Sequence, residues 1–164
     1  MGKHWNEGMT SSKTGEWETP RWLYDQLDAE FHFSLDPCAT YENAKCSMFY
    51  TKDDDGLSKD WRGETVFMNP PYGREVGKWI KKAYAESRKP ATVVVGLLAA
   101  RTDTAWFHEY VMKARKVFFV RGRLRFGGAN NSAPFPSMAV VWKGGTSEAL
   151  PQVGPEVSTL RNNG

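Results

Sequence analysis

The chain reads as an α/β protein built on a doubly wound, mostly parallel sheet. Strand-like apolar segments alternate with amphipathic helical ones along its length, the pattern that such sheets produce. Thr92-Val93-Val94-Val95-Gly96-Leu97-Leu98 is a continuous apolar run, as expected of a strand covered on both faces. Asp36 ends one strand-like segment and Asn69 directly follows another, at the sheet edge where open α/β proteins bind their ligands.

Residues 1–16 form a polar lead, and a single domain is expected over residues 17–143. Thr19 and Pro20 suit an N-cap and first helical residue, with Leu23, Leu27 and Phe31 following at helical spacing. Phe33-Ser34-Leu35-Asp36 reads as a short strand, followed by the turn-prone Pro37-Cys38-Ala39-Thr40. The next stretch of about 25 residues, with Asp53-Asp54-Asp55-Gly56 and Asp60-Trp61, has no clear period and is long enough for a loop to be functional. Thr65 to Met68 is the second strand, running into Asn69-Pro70-Pro71-Tyr72. Val76, Trp79, Ile80 and Ala83 then mark a helix whose other face carries Lys78, Lys81 and Lys82, a solvated face, and Pro90 closes it. After the apolar run, Thr102 or Asp103 is expected to cap a helix bearing Trp106, Phe107, Tyr110 and Val111. Val117 to Val120 and Met138 to Trp142 supply a terminal pair of strands, antiparallel because only a loop separates them. Gly, Pro, Ser and Asn dominate beyond Lys143, so residues 144–164 are expected to be a mobile tail.

With 164 residues the chain has room for one core but not for a separate recognition domain, so loops must do the recognising. A net charge of +3 permits nucleic-acid binding without requiring it. The amino terminus lacks the apolar stretch of a signal peptide, and no apolar run approaches the ~20 residues of a membrane span, which points to a cytoplasmic protein. Cys38 and Cys46 form no ligand pattern with His4, His32 or His108, so two free thiols and no metal are expected.

The Asn-Pro-Pro-Tyr run suits methyl transfer to an exocyclic amino group. The lone pair of such a nitrogen is delocalised into its ring, which makes it a weak nucleophile toward S-adenosylmethionine. Acceptors aimed at the amino hydrogens favour the pyramidal nitrogen that develops during attack, stabilising the transition state more than the ground state. Asn69 offers a side-chain carbonyl and Pro70 a backbone carbonyl. Pro70 and Pro71 hold the segment extended before substrate arrives. Tyr72 offers a flat face on which an extruded base can stack. Farther along, Arg121, Arg123 and Arg125 alternate with Leu124 and Phe126, so on a strand one face is a row of guanidinium groups suited to phosphate. Asn130 and Asn131 lie in the polar loop that follows and suit a DNA groove.

Taken together, Glu16 to Pro20, Leu35 to Ala39, Glu42 to Cys46, Asp55 to Leu57, Asp60-Trp61, Asn69 to Tyr72, Ala100 to Thr104, Arg121 to Phe126 and Ala133 to Met138 resemble the phage-type DNA adenine N6-methyltransferases. The resemblance spans roughly Trp17 to Trp142. It implies a reduced Rossmann-like methyltransferase sheet with helices on both faces, S-adenosylmethionine as cofactor, and adenine N6 in DNA as acceptor. It also implies a role in phage or prophage DNA modification, with protection against restriction as the expected purpose. Asn69, Pro70, Pro71 and Tyr72 match the catalytic motif. Asp36, Pro37, Cys38 and Ala39 look like the loop that meets the amino-acid end of the cofactor, and Trp17, Thr19 and Pro20 resemble a segment closing over that end. Arg101 joins Arg121, Arg123, Arg125, Asn130 and Asn131 as a DNA-contact candidate.

Two departures from the broader superfamily stand out. Asp36 is followed by no glycine until Gly56, so the usual close backbone approach to cofactor must be arranged differently. The 32 residues between Asp36 and Asn69 leave no room for two βα units, which predicts a shortened sheet on that side. The acid for the cofactor ribose stays open among Glu42, Asp54 and Asp55. Asp60 and Trp61 suit the cofactor adenine, by hydrogen bond and stacking, while Trp61 suits a core anchor equally well. A monomer or weak dimer with no obligatory protein partner is expected. The alternatives are a catalytically silent DNA-binding protein, and a methyltransferase for cytosine N4, an RNA base or glutamine.

Overall fold

The computed structural model describes residues 18–126, 132–144 and 154–164. Among these, the elements in chain order are α1 (Arg21–Phe31), β1 (Leu35–Asp36), β2 (Met48–Phe49), β3 (Thr65–Met68), α2 (Val76–Ser87), β4 (Val93–Ala99), α3 (Ala105–Glu109), β5 (Lys116–Val120), β6 (Ser137–Lys143) and β7 (Glu156–Leu160). Short 3-10 turns at Gly56–Ser58 and Val111–Lys113 complete them. The seven strands form one mixed sheet in the order β2-β1-β3-β4-β6-β5-β7. Only β6 runs against the others, pairing antiparallel with both β4 and β5.

Strand alternation divides the core into two layers. Phe67 of β3 and Val95 and Leu97 of β4 face α1, where Leu23, Tyr24 and Leu27 cover them. Val66 and Met68, with Val94 and Leu98, turn to the opposite face and meet Trp79, Ile80 and Ala83 of α2 and Phe107 of α3. The period of two along each strand and of 3.6 along each helix produces this division directly.

Several expectations are corrected. Thr19 does not cap α1: Pro20 holds the N-cap position without a side-chain bond, and the Thr19 hydroxyl is engaged elsewhere. The cap of α3 is Thr104, whose hydroxyl accepts from the Phe107 amide at 3.2 Å, not Thr102 or Asp103. The long segment after Asp36 contains β2, which pairs parallel with β1 (Leu35↔Met48, Asp36↔Phe49) and was too short to give a period. Arg121, Arg123 and Arg125 are not on a strand. β5 ends at Val120 and Gly122, at φ 77°, turns the chain, yet the three arginines remain exposed while Leu124 and Phe126 are buried. Nor does the whole stretch from residue 144 lack structure: β7 pairs parallel with β5 from Lys116↔Glu156 to Val120↔Leu160, so the antiparallel pair is not the sheet edge. Residues 145–153 lie outside the described residues.

Trp61 takes the core alternative. It is fully buried, donates its indole N–H to the Gly56 carbonyl at 3.0 Å and stacks on Trp79, with ring centroids 6.3 Å apart. Asp60 is exposed and ion-paired to Lys89 at 2.8 Å. Gly56 itself tolerates no side chain, because a Cβ there would lie 2.1 Å from the Pro37 carbonyl oxygen. Gly56→Ala is therefore expected to lower the unfolding free energy by roughly 1–3 kcal/mol through overpacking, measured by denaturant unfolding; wild-type stability would show that the two loops separate without penalty.

Candidate active site

Because β1 and β3 are paired neighbours running the same way (Leu35↔Val66), their carboxyl ends open on one side of the sheet. A cavity of ≈ 720 Å³ lies there, within the size range of small-molecule sites. Asp36, Pro37, Cys38 and Ala39 line it from β1, and Asn69, Pro70, Pro71 and Tyr72 from β3. The two motifs placed at opposite ends of a loop by the sequence thus share one space.

The loop after β1 is held without glycines. The Asp36 carboxylate accepts from the backbone amides of Cys38 and Lys45, the latter at 3.2 Å. Thr40 and Asn43 bond reciprocally: Thr40 N–H donates to Asn43 Oδ1 at 2.7 Å and Asn43 N–H to Thr40 Oγ1 at 3.1 Å. Lys45 closes the arrangement by an ion pair to Glu18 at 2.9 Å. Asp36 is only 5 % exposed, and its desolvation outweighs those amide bonds, so its pKa is raised to about 6.

Asn69 is positioned from two sides. Its side-chain Nδ2 donates to Thr19 Oγ1 at 3.0 Å, and its backbone N–H donates to the Cys38 sulfur. The first contact fixes the plane of the amide and therefore the direction of its carbonyl. Thr19, 4 % exposed, lines the cavity with Pro37 and Ala39. Pro20 is buried at the start of α1 and does not line the cavity. Trp17, Asn130 and Asn131 lie outside the described residues.

Tyr72 packs in an aromatic group with Phe135, at 5.0 Å between centroids, and Phe126, at 6.1 Å, and burial pushes its hydroxyl pKa up. Arg101, after β4, lays its guanidinium over Phe135 at 5.8 Å, the ring that also packs on Tyr72. Gly73, at φ 102°, makes the turn from Tyr72 toward α2. Cys38 and Cys46 are free thiols, and burial raises the pKa of both.

Neither Asp60 nor Trp61 lines the cavity. The indole at its wall is Trp79, which rests on Trp61. Its spacing within α2 marked it only as a core residue. Of the three acids left open, Glu42 and Asp55 line the cavity; Asp54 instead accepts from Thr51 N–H and Oγ1 at 2.8 and 3.0 Å. Asp53, not singled out from the sequence, lines it too, as does Tyr41, 80 % exposed at the surface. The run of three aspartates was the available signal for Asp53.

A sheet with one open carboxyl edge, a stapled acidic loop after β1 and an Asn-Pro-Pro-Tyr segment after β3 define a methyltransferase of the Rossmann-like class. The profile of the DNA N-6-adenine-methyltransferase (Dam) family matches residues 8–153, and the chain belongs to that family. It is 32% identical over 119 residues to the DNA N-6-adenine-methyltransferase of Haemophilus phage HP1 (strain HP1c1), covering 68% of this chain and 68% of that protein. It is also 32% identical over 110 residues to the DNA N-6-adenine-methyltransferase of Escherichia phage T1, covering 66% of this chain and 45% of the relative.

The Thr19 contact gives a specific expectation. Thr19→Val keeps the shape but removes the acceptor, and should lower single-turnover methyl transfer about 10- to 100-fold, the scale of a misplaced reacting group, while Thr19→Ser retains it. Equal rates for Val and wild type would mean that the amide is oriented by other contacts.

Proposed function

We propose that this chain transfers a methyl group from S-adenosylmethionine to N6 of adenine in DNA at the cavity between the Asp36 and Asn69 loops. The observation that carries the proposal is that both loops line one cavity, one able to hold a charged cofactor and the other to receive an amino group.

The wall chemistry fits the cofactor. Asp36 supplies a buried carboxylate for an ammonium group, Glu42, Asp53 and Asp55 supply acceptors for ribose hydroxyls, and Trp79 supplies an apolar indole. When bound, S-adenosylmethionine supplies an electrophilic methyl group on a sulfonium sulfur. The protein's part is at the acceptor nitrogen. Asn69 Oδ1 and the Pro70 carbonyl take hydrogen bonds from the two amino hydrogens, which localises the lone pair for attack on the methyl. The amino proton released on transfer would leave along one of these hydrogen bonds toward solvent. Tyr72, held by Phe135, stacks on the extruded base.

Arg101, Arg121, Arg123 and Arg125 are all exposed after the carboxyl ends of β4 and β5, on the edge that bears Asn69. That placement supports DNA contact there. No helix among the described residues is long and apolar enough to cross a membrane. We further propose a cytoplasmic site of action in the bacterial host and a protective role for phage DNA, in keeping with the phage sources of the relatives.

The test is incubation with labelled S-adenosylmethionine and unmethylated DNA, nucleoside digestion and mass spectrometry. N6-methyladenine that disappears with Asn69→Ala is expected; N4-methylcytosine, or no methylated nucleoside despite cofactor binding, would overturn the reading in favour of another acceptor or a silent fold. A pH dependence follows from Asp36, whose carboxyl has its pKa raised to about 6. The carboxylate form holds the ammonium, so cofactor affinity should rise between roughly pH 5 and 7, by up to about tenfold per unit on the acid side, and Asp36→Asn should flatten the profile. A wild-type profile in Asp36→Asn, measured by calorimetry, would remove Asp36 from the cofactor.

A further inference from the structure

Beyond the cavity, a second cleft lies at the far end of the same sheet edge, lined by Arg121, Ser158, Thr159 and Arg161. Two of these four residues are permanently cationic, none is acidic, and Thr159, two positions before Arg161, projects from the same side of the chain by strand alternation. The acid of β7, Glu156, sits at the opposite end of the strand and is turned to Lys116 at 3.8 Å. The two arginines stand on fixed backbone. Arg121 N–H donates to the Leu160 carbonyl at 2.8 Å, Gln26 Nε2 donates to the Arg161 carbonyl at 2.9 Å, and Leu160 is buried. Two arginines lining one cleft suit a tetrahedral oxyanion, which guanidinium binds bidentately.

Topology sets the distance from the reaction. Asn69 follows β3 and Arg161 follows β7, and the order β3-β4-β6-β5-β7 puts four strand spacings between them. At ~4.8 Å per spacing this is about 19 Å along the sheet edge. Successive base pairs rise ~3.4 Å, so the same span on a duplex is about six base pairs.

We propose that the cleft formed by Arg121 with Ser158, Thr159 and Arg161 of the β7 end binds a backbone phosphate of the DNA substrate about six base pairs from the adenine being methylated. This rests on the proposed function. The carboxyl-terminal strand is then part of the DNA-binding surface, and it fixes the register of the duplex along the sheet edge without reading its sequence.

The experiment measures affinity of the full chain for a duplex with one target adenine as a function of salt, for wild type, Arg161→Ala, Arg161→Lys and Ser158→Ala/Thr159→Ala. Arg161→Ala should weaken binding and reduce the slope of log affinity against log salt by about 0.9, the value for one phosphate contact, while Arg161→Lys keeps the slope. The double variant should weaken binding several-fold at unchanged slope. Wild-type affinity and slope in Arg161→Ala would overturn the proposal. A second measurement needs no variant: as the duplex is shortened from each end, wild-type affinity should step down with loss of about one unit of slope when one flank falls below about six base pairs, and absence of a step on either flank would likewise overturn it. Wild-type protein that binds no DNA would sink the proposed function itself, a result distinct from wild-type binding that ignores Arg161.

Discussion

The buried carboxylate of Asp36 is the constraint on which the site depends. Bringing an acid to 5 % exposure disfavours its charged form, and the amides of Cys38 and Lys45 offset only part of that penalty. In return, the segment from Pro37 to Lys45 is tied back to the end of β1 at both of its ends. A loop made of ordinary side chains thereby acquires a fixed shape that a glycine-rich turn would otherwise supply. The missing glycine is present in space if not in sequence. Gly56, arriving from a different loop, lets its backbone approach the Pro37 carbonyl more closely than any other residue type permits. Trp61 then locks Gly56 through its indole hydrogen bond and supports Trp79 at the cavity wall.

The second half of the site inherits its position from the first. β3 lies beside β1, and the Asn69 backbone N–H donates to the Cys38 sulfur, so the Asn-Pro-Pro-Tyr segment is bonded to the stapled loop. Thr19, from the turn before α1, holds the other end of Asn69. Two prolines and three elements therefore fix one side-chain carbonyl and one backbone carbonyl before substrate binds. In the proposed reaction such preorganised acceptors leave little reorganisation for the transition state.

Much of this was legible in the sequence, and the rest was hidden for physical reasons. β3 and β4, α2 and the antiparallel pairing of β5 with β6 follow from apolar runs, helical period and short connections. The Asn-Pro-Pro-Tyr segment and the Asp36 loop were identifiable because their chemistry is carried by side-chain type and by position after a strand. β2 and β7 escaped since two and five residues bounded by polar sequence give no usable period. Thr19 fitted a helix cap equally well, and only the path of the chain brings it to Asn69. Trp79 rather than Trp61 reaches the cavity wall because a stack of two indoles has an inner and an outer member, and sequence does not say which is which.

Among the described residues every strand except β6 points the same way, so Asp36 ends β1, and Asn69, Arg101, Arg121 and Arg161 follow other strands, on one edge of the sheet. In the proposed function, cofactor, acceptor base and DNA backbone occupy successive stations along that edge. The most direct test is a crystal structure of the chain with S-adenosylhomocysteine. Its amino-acid end is predicted beside Asp36, with the sulfur turned toward Asn69 and Pro70; a ligand seated outside this cavity, or with its sulfur facing away from Asn69, would contradict the account.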